Sequence, residues 1–258
     1  MELYDAIFYR KSIKKYSNIR IKEYLMDQVK DICSNITYLN DDLNIKAHVV
    51  ERGHLIHFLM GKGCKIKAPH YIVVTSNNGD DYLQNIGFAM ENVVLQMTTL
   101  GLATCWIDCS LKRKDILEFV DLEEIDEENP ENPYAVIAFG YPEKSDDLFR
   151  RKKDKLDREK VKDISKKVDK SFEDAMEAVR FSPSIKNIQP WFFHNSKNGF
   201  HIYERNQKRS INDMSKISMG IALRHFDIGC KKSNIDVKYE KLDAKNKIGK
   251  IYFISIIE

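Results

Sequence analysis

The sequence lacks the features that would place it in a membrane or outside the cell. No apolar run reaches the roughly 18 residues that a membrane-spanning helix needs. The N-terminal stretch MELYDAIFYRK carries acids at Glu2 and Asp5 and has no apolar core of the kind found in secretion signals. Five cysteines are an odd number, and they are scattered over 258 residues, which does not indicate a disulfide framework. We therefore expect a cytoplasmic protein without a membrane partner.

Signals for metal and nucleic-acid binding are also missing. Cys105 and Cys109 are spaced as two metal ligands can be, but no second pair accompanies them, so ordinary thiols are the better interpretation. His54 and His57 likewise have no third ligand. The net charge of +3 comes from 42 basic and 39 acidic side chains, and so near a balance gives no argument for nucleic-acid binding. We predict no metal and no nucleic-acid partner.

What the sequence does contain is the composition and patterning of a globular chain. Hydrophobic residues make up 43% of it, and a chain of this length can bury about 75% of its unfolded surface in one large or two small domains. Apolar periodicity predicts helices over 1–10, 21–36, 54–60, 80–100, 114–120, 171–180 and 210–232. Alternating or continuous apolar runs predict strands over 44–51, 70–76, 132–142, 191–195, 199–204, 235–242 and 250–257. This mixture is typical of the α+β class.

The order of these segments suggests an internal repeat. A long helix begins near Gly87, and a similar pattern of glycine, apolar residue and alanine recurs at Gly220, 133 positions later (220 − 87). Between them, residues 143–167 carry dense charge and few apolar side chains. We therefore predict a first half over 1–142, a charged linker over 143–167 and a second half over 168–258.

Three stretches resemble the FMN-dependent nitroreductases. The stretch AIFYRKSIKKY (6–16) looks like that family's N-terminal Arg-x-Ser-x-Arg/Lys signature. ENVVLQMTTLGLATCW (91–106) and YAVIAFGYP (134–142) are similar to its central helix and penultimate strand. SPSIKNIQPW (182–191) is very like its Pro-Ser-x-x-Asn-x-Gln-Pro-Trp loop, and this match is the most specific because five residue types coincide at fixed spacing.

The order of the motifs departs from the family's usual order. In ordinary members the loop follows the Arg-Ser signature in the same half, whereas residues 31–43 lack it here and the start of the second half lacks the Arg-Ser signature. Ordinary members are homodimers that bind each FMN with the signature of one subunit and the loop of the other. The resemblance therefore implies a fused nitroreductase-like chain, in which two divergent halves form an intramolecular pseudo-dimer with one FMN site. A monomer would then be competent.

The resemblance also implies which residues bind the FMN phosphate. Arg10, Lys11, Ser12 and Lys14 offer a guanidinium fork, a hydroxyl and two ammonium groups to a doubly negative phosphate. Arg151, in the run RRKK (150–153), follows the strand where family members supply further phosphate contacts. The alternative is that both groups are solvated basic clusters, which is what isolated charge runs usually are.

The loop would bind the ring of the flavin. Asn187 and Gln189 both donate and accept hydrogen bonds, which suits the alternating edge of a flavin pyrimidine. Ser184 keeps a family serine, Ile185 replaces a second one, and Pro183 stiffens the loop. The alternative is a loop whose amides cap its own backbone. Trp191 is expected in the core.

The implied activity is hydride transfer from NADH or NADPH through FMN to a small-molecule electron acceptor, such as a nitroaromatic or a quinone. The flavin carries this chemistry, so we predict no catalytic acid or base in the protein. Asp108 and Cys109 stand where many members have glycines near the reactive part of the flavin, and their side chains could crowd the ring. The alternative is therefore a flavin-binding or degenerate scaffold protein without turnover.

Overall fold

The computed structural model describes residues 1–120, 122, 128–151, 154, 156–196, 199–208 and 211–257. The helices, in chain order, are α1 (Leu3–Tyr9), α2 (Glu23–Ser34), α3 (Gly53–Met60), α4 (Tyr82–Thr99), α5 (Arg113–Ile116), α6 (Val161–Ile164), α7 (Glu173–Arg180) and α8 (Asn212–Lys232). The strands are β1 (Lys46–Val50), β2 (His70–Ser76), β3 (Ala103–Asp108), β4 (Asn132–Gly140), β5 (Ser165–Lys166), β6 (Trp191–Ser196), β7 (Gly199–Arg205), β8 (Lys238–Glu240) and β9 (Lys250–Ile257). The predicted α+β class is confirmed.

The first of two compact units contains Met1–Glu2, Tyr9–Tyr82 and Asn92–Lys152. Its sheet has the order β1-β2-β4-β3, and all its pairs are antiparallel. Every residue of β2 is buried, which explains why this strand reads in the sequence as a continuous apolar run.

The second unit contains Leu3–Phe8, Leu83–Glu91 and Lys153–Glu258. Its sheet has the order β5-β6-β7-β9-β8, in which only the short β5 pairs parallel to its neighbour. Without β5, the strands follow the same order as those of the first sheet: first, second, fourth and third along the chain, all antiparallel.

Most predicted elements are confirmed, and their ends differ by a few residues. β2 spans 70–76 as predicted, and α4 and α8 lie within the two long predicted helices. β3 follows α4 directly, as the repeat pattern of a long helix and then a strand predicts, but its bounds were not predicted, because a six-residue segment after a helix gives little periodic signal. The segment predicted as a charged linker, 143–167, contains α6 and β5 in its last part, and Ile164 there is fully buried.

An aromatic cluster fixes the strands of the second unit against its helices. The ring of Phe226 on α8 stacks on Phe193 of β6 with centroids 5.3 Å apart and meets Phe200 of β7 edge-on at 5.5 Å. Phe172 stacks on the same ring at 5.8 Å. Such pairs contribute about 0.5–1.5 kcal/mol beyond their buried area. They hold the start of β6, and with it the end of the preceding loop.

Two glycines allow a very close helix crossing in the second unit. A Cβ atom on Gly87 of α4 would lie 2.0 Å from the carbonyl oxygen of Ile217, and one on Gly220 of α8 would lie 1.8 Å from that of Gln84. Only glycine permits backbones to approach this closely. The contact is reciprocal, because the 133-residue shift that relates Gly87 to Gly220 also relates Gln84 to Ile217.

Buried charged groups lie beside this crossing. His225 Nε2 lies 3.0 Å from Glu91 Oε1, and the Arg224 guanidinium lies over the ring of Phe88 at 3.6 Å. Arg224 also donates to the carbonyl oxygen of Phe88 and pairs with Asp227 at 3.2 Å. These contacts satisfy groups that would be costly to bury alone.

Among the described residues, no helix combines the length and apolar character that crossing a lipid bilayer requires.

Replacing either glycine of the crossing should destabilise the protein. We expect Gly87→Ala and Gly220→Ala each to lower the free energy of unfolding by about 1–3 kcal/mol or more, because the added methyl group overlaps backbone atoms of the facing helix. Denaturant unfolding measures this change. Gly63→Ala is the matched control, because a Cβ there meets nothing within 4 Å. Equal stability of all three variants would contradict the close crossing.

Candidate functional site

The residues after α1 form an irregular strand-like segment in the first unit. The Ile13 amide donates to the Thr104 carbonyl of β3 at 3.0 Å, and the Ser17 amide donates to Tyr141 O at 2.9 Å. The Tyr16 hydroxyl donates to Ala138 O at 3.1 Å. These bonds fix the backbone that carries the predicted phosphate-binding residues.

A cavity of about 260 Å³ lies beside this segment. It is lined by Lys11, Ser12, Ile13, Lys14, Lys15, Glu143 and Asp147. Three of the predicted phosphate-binding residues therefore meet at one cavity. Lysines outnumber carboxylates in the lining, which favours an anion, although Glu143 and Asp147 would oppose it. A volume of this size suits a phosphate group and is smaller than the cavities that hold whole drug-sized ligands.

Arg10 is placed differently from the rest of the signature. Its side chain is 3% exposed, and it does not line the cavity. Burial raises the pKa values of Cys105 and Tyr16, and the positive charge of Arg10 opposes both shifts, which places the guanidinium near these two groups. The structure thus gives Arg10 a buried position near Cys105 and Tyr16 and outside the cavity lining.

Arg151 pairs with an acidic residue that lines the same cavity. Its Nη2 atom is 3.6 Å from Oδ1 of Asp147, which lines the cavity. Both side chains are about half exposed, so the pair contributes little stability. Lys152 and Lys153 of the same basic run lie outside the described residues.

The loop 181–190 belongs to the second unit and has an unusual backbone. Lys186, Asn187 and Gln189 have φ angles of +47°, +59° and +47°. Left-handed conformations cost non-glycine residues roughly 1–2 kcal/mol each, and asparagine tolerates them best. Such strain persists where the surroundings impose it, and it is concentrated at functional sites.

The amide side chains of the loop are bound by the segment 157–159. Asn187 Nδ2 donates to Asp157 O at 2.8 Å, and Asn187 Oδ1 accepts from the Arg158 guanidinium. Gln189 Oε1 accepts from the Glu159 amide at 2.8 Å. Asp157 and Arg158 thus present an acceptor and a donor side by side to Asn187. We call residues 157–159 the covering segment.

Other contacts hold the loop in place. Ser184 Oγ accepts from the Gln189 amide at 3.0 Å, and the Ile185 amide donates to Ser218 Oγ of α8 at 3.2 Å. Pro183 is buried, and Trp191 is fully buried, which confirms its predicted place in the core. The loop is thus fixed at both ends and in the middle.

The contacts between the covering segment and the loop were not predicted from the sequence. The segment's residues lie in a charged stretch with no motif, so only the hydrogen bonds between distant parts of the chain reveal them. The segment is itself held by Arg205, whose Nη1 lies 2.8 Å from both carboxylate oxygens of Glu159. The signal available in the sequence was weak: an arginine and two acids close together.

Asp108 and Cys109, whose side chains could crowd a bound flavin ring, differ in exposure. Asp108 ends β3 and is exposed, whereas Cys109 is partly buried. Burial raises the pKa of the Cys109 thiol to about 11, and the neighbouring Asp108 carboxylate adds to the shift. The thiol is therefore neutral at physiological pH and adds no negative charge beside Asp108.

The model of the protein family described as "Putative TM nitroreductase" matches residues 2–230. The chain belongs to this nitroreductase family. Membership supports a general oxidoreductase role and the nitroreductase-like fold. No match was found among curated proteins.

Solved structures of nitroreductases are similar to this chain. A putative nitroreductase from Thermotoga maritima has 18% identity and a TM-score of 0.64, over 100% of this chain and 94% of that one. A nitroreductase family protein from Clostridium novyi has 26% identity and a TM-score of 0.45, over 57% of this chain and 90% of that one. The first similarity extends the shared fold over the whole chain.

The pKa of Cys109 predicts slow alkylation in this nitroreductase. At pH 8 we expect iodoacetamide to modify Cys109 roughly a hundredfold more slowly than a cysteine of ordinary pKa 9.0, because two pKa units reduce the thiolate fraction about that much. The rate should rise as the pH approaches 11. Peptide mass spectrometry of native protein, with denatured protein as the control, measures it. Equal rates in both states would mean that Cys109 is not desolvated.

Proposed function

We propose that this nitroreductase-family chain is an FMN-dependent oxidoreductase that transfers hydride from NADH or NADPH to a small-molecule acceptor such as a nitroaromatic or a quinone. The observation that carries the proposal is the cavity lined by Lys11, Ser12 and Lys14. These are the signature residues that the family resemblance assigns to the FMN phosphate, and they line a cavity in which cations predominate. The proposed site needs no metal.

At the phosphate end, Lys11, Lys14 and the Ser12 hydroxyl would contact phosphate oxygens directly. Arg10, which is buried and does not line the cavity, would contribute its charge. Arg151 would move from Asp147 to the phosphate, because the 3.6 Å separation of that exposed pair makes it weak. Charge-assisted contacts of this kind contribute about 1.5–3 kcal/mol each when they are well formed.

At the ring end, Asn187 and Gln189 would bind the pyrimidine edge of FMN, with Pro183, Ser184 and Ile185 shaping the loop. The strained backbone supports this role, since three left-handed residues would hold the amides in a fixed orientation. The covering segment now bonds both amides, so ring binding requires it to withdraw. Asp157 O and the Arg158 guanidinium offer Asn187 the acceptor and donor pattern that a pyrimidine edge offers.

The proposal includes one FMN per chain and a competent monomer. The shared strand order of the two sheets and the reciprocal Gly87–Gly220 contact support a duplicated chain. One signature and one loop then supply one site. We also propose that the chain consists of a first half over 1–142, a linker over 143–167 and a second half over 168–258. The halves are consecutive in sequence, whereas the compact units group segments that pack together, so the two divisions differ.

When bound, FMN would accept and donate the hydride, and the protein would bind it, orient it and tune its potential with nearby donors. The second candidate is a flavin-binding or degenerate scaffold protein without turnover. The bonds of Asn187 and Gln189 to the covering segment favour it, because amides already satisfied within the chain need no ligand. The exposed Asp108 carboxylate favours it too if it lies near the reactive ring.

Variants at the two ends of the proposed site should have separable effects. We expect Lys14→Ala to weaken FMN binding roughly tenfold to a hundredfold, because Lys14 would contact the phosphate directly, and Arg10→Ala to weaken it by a smaller factor, because Arg10 would act through its charge. Both should bind riboflavin, which lacks the phosphate, as the parent does. Asn187→Ala should weaken FMN and riboflavin by similar factors. Fluorescence titration measures all of these affinities.

The control for these titrations is Lys62→Ala, which removes an exposed lysine of the same unit that does not line the cavity. Lys14 is itself exposed, so its variant tests the phosphate role even where Arg10→Ala impairs folding. Equal loss of FMN and riboflavin affinity in Lys14→Ala would exclude a phosphate contact. Unchanged affinity for both ligands in folded Asn187→Ala protein would leave the loop a structural element.

Removing the guanidinium of the covering segment should strengthen ring binding. We expect Arg158→Ala to tighten riboflavin binding roughly twofold to tenfold, because one hydrogen bond that competes for Asn187 is lost. Lys160→Ala, an exposed neighbour, is the matched control. Weaker binding in Arg158→Ala would show that Arg158 supports the site rather than competing with the ligand.

A further inference from the structure

The outer face of the second unit's sheet carries a row of basic and imidazole side chains. Lys166 of β5 pairs with His194 of β6, which pairs with His201 of β7, which pairs with Ser255 of β9. Paired residues project to the same side of a sheet. Phe193 and Phe200, their neighbours along the strands, face the core, so this row faces away from it.

A lysine from the turn before β9 folds over this row instead of extending into solvent. Lys247 Nζ lies 2.7 Å from His194 Nδ1 and 4.8 Å from the ring centroid of Tyr203. A backbone bridge between Lys247 and Lys250, with Gly249 at φ +69°, fixes the turn that brings it there. Lys250 lies over the ring of Phe192 at 4.0 Å. The aromatic rings thus hold two ammonium groups over the sheet.

The imidazoles have well-defined orientations. Because Lys247 Nζ can only donate, His194 Nδ1 accepts, and the Nε2–H of His194 remains a donor. His201 bonds Ser255 Oγ at 2.7 Å with one ring nitrogen and Ser196 Oγ at 2.9 Å with the other. The row therefore presents an oriented imidazole donor beside ammonium groups.

These cations act on one another. Burial lowers the pKa of Lys247, and the charges of Lys166, Lys250 and Lys167 lower it further. The pKa of His194 is lowered first by burial and then by the charges of Lys247, Lys166, Lys167 and His201.

Among the described residues, no carboxylate is one of the main causes of either pKa shift. The nearest acid along the row is Glu240, paired with Ser255 on the far side, two strands or about 10 Å from His201.

We propose that this face binds a phosphate group carried by a small soluble molecule, with Lys166 and Lys247 as its ligands, His194 holding the Lys247 ammonium in place, and Lys167 and Lys250 as flanking charges. Lysine is a strong phosphate ligand as a point charge. A phosphate dianion would relieve the mutual repulsion that the fold imposes on these groups. The inference uses residues of the second unit alone and does not depend on flavin binding.

The test is a titration of the whole protein with inorganic phosphate, and then pyrophosphate, at constant ionic strength. The ring-proton NMR signals of His194 and His201 report the binding, and His194→Gln assigns them. We expect saturable shifts of both signals in the parent. Lys247→Ala should weaken binding about tenfold, and Lys166→Ala, which removes an exposed side chain and spares the fold, should weaken it similarly.

Lys232→Ala is the matched control, because this exposed lysine at the end of α8 lies outside the row, and it should bind as the parent does. Acetate at the same ionic strength should cause no saturable shift. The proposal is overturned if phosphate gives no saturable shift, if Lys247→Ala and Lys166→Ala bind like the parent, or if acetate acts equally. Binding to phosphatidylglycerol vesicles without binding of soluble phosphates would also overturn it.

Discussion

The close crossing of α4 and α8 at Gly87 and Gly220 is the constraint on which the second unit depends. The two backbones approach so closely that neither position has room for a side chain. Around this contact the fold buries Glu91 with His225 and Arg224 with Asp227, pairs that are costly unless their geometry is kept. The same helix, α8, carries Phe226 and Ser218, and these residues hold β6 and the strained loop.

The packing around the loop maintains its strained backbone conformation. Three left-handed residues among four consecutive positions would relax in a short peptide, but here the loop lies between a buried proline and a fully buried tryptophan. Hydrogen bonds from Ser184, Ser218 and the covering segment offset part of the cost. The loop keeps its amide groups fixed, and the charged covering segment shields them. This arrangement suits a binding site from which a ligand displaces the covering segment.

The sequence predicted those features that depend on local patterns. Continuous and alternating apolar runs located β2, α4 and α8, and five fixed residue types located the loop. The sequence could not predict that Arg10 is buried while Lys14 is exposed, because nothing in the identity of two nearby basic residues indicates which one the fold buries. Nor could it predict the contact of Arg158 with Asn187, which joins residues 29 positions apart without any motif. Such contacts are set by tertiary packing rather than by propensity.

The proposed function requires that the chain bind one FMN and pass electrons through it. The most direct measurement is an anaerobic titration of purified protein with FMN, followed by addition of NADH or NADPH, with the absorbance of the bound flavin recorded throughout. We expect saturation at one FMN per chain and bleaching of the bound flavin by a reduced nicotinamide nucleotide. Saturation at two equivalents would contradict the single site. Protein that ignores FMN, or bound flavin that neither nucleotide bleaches, would contradict the proposed activity.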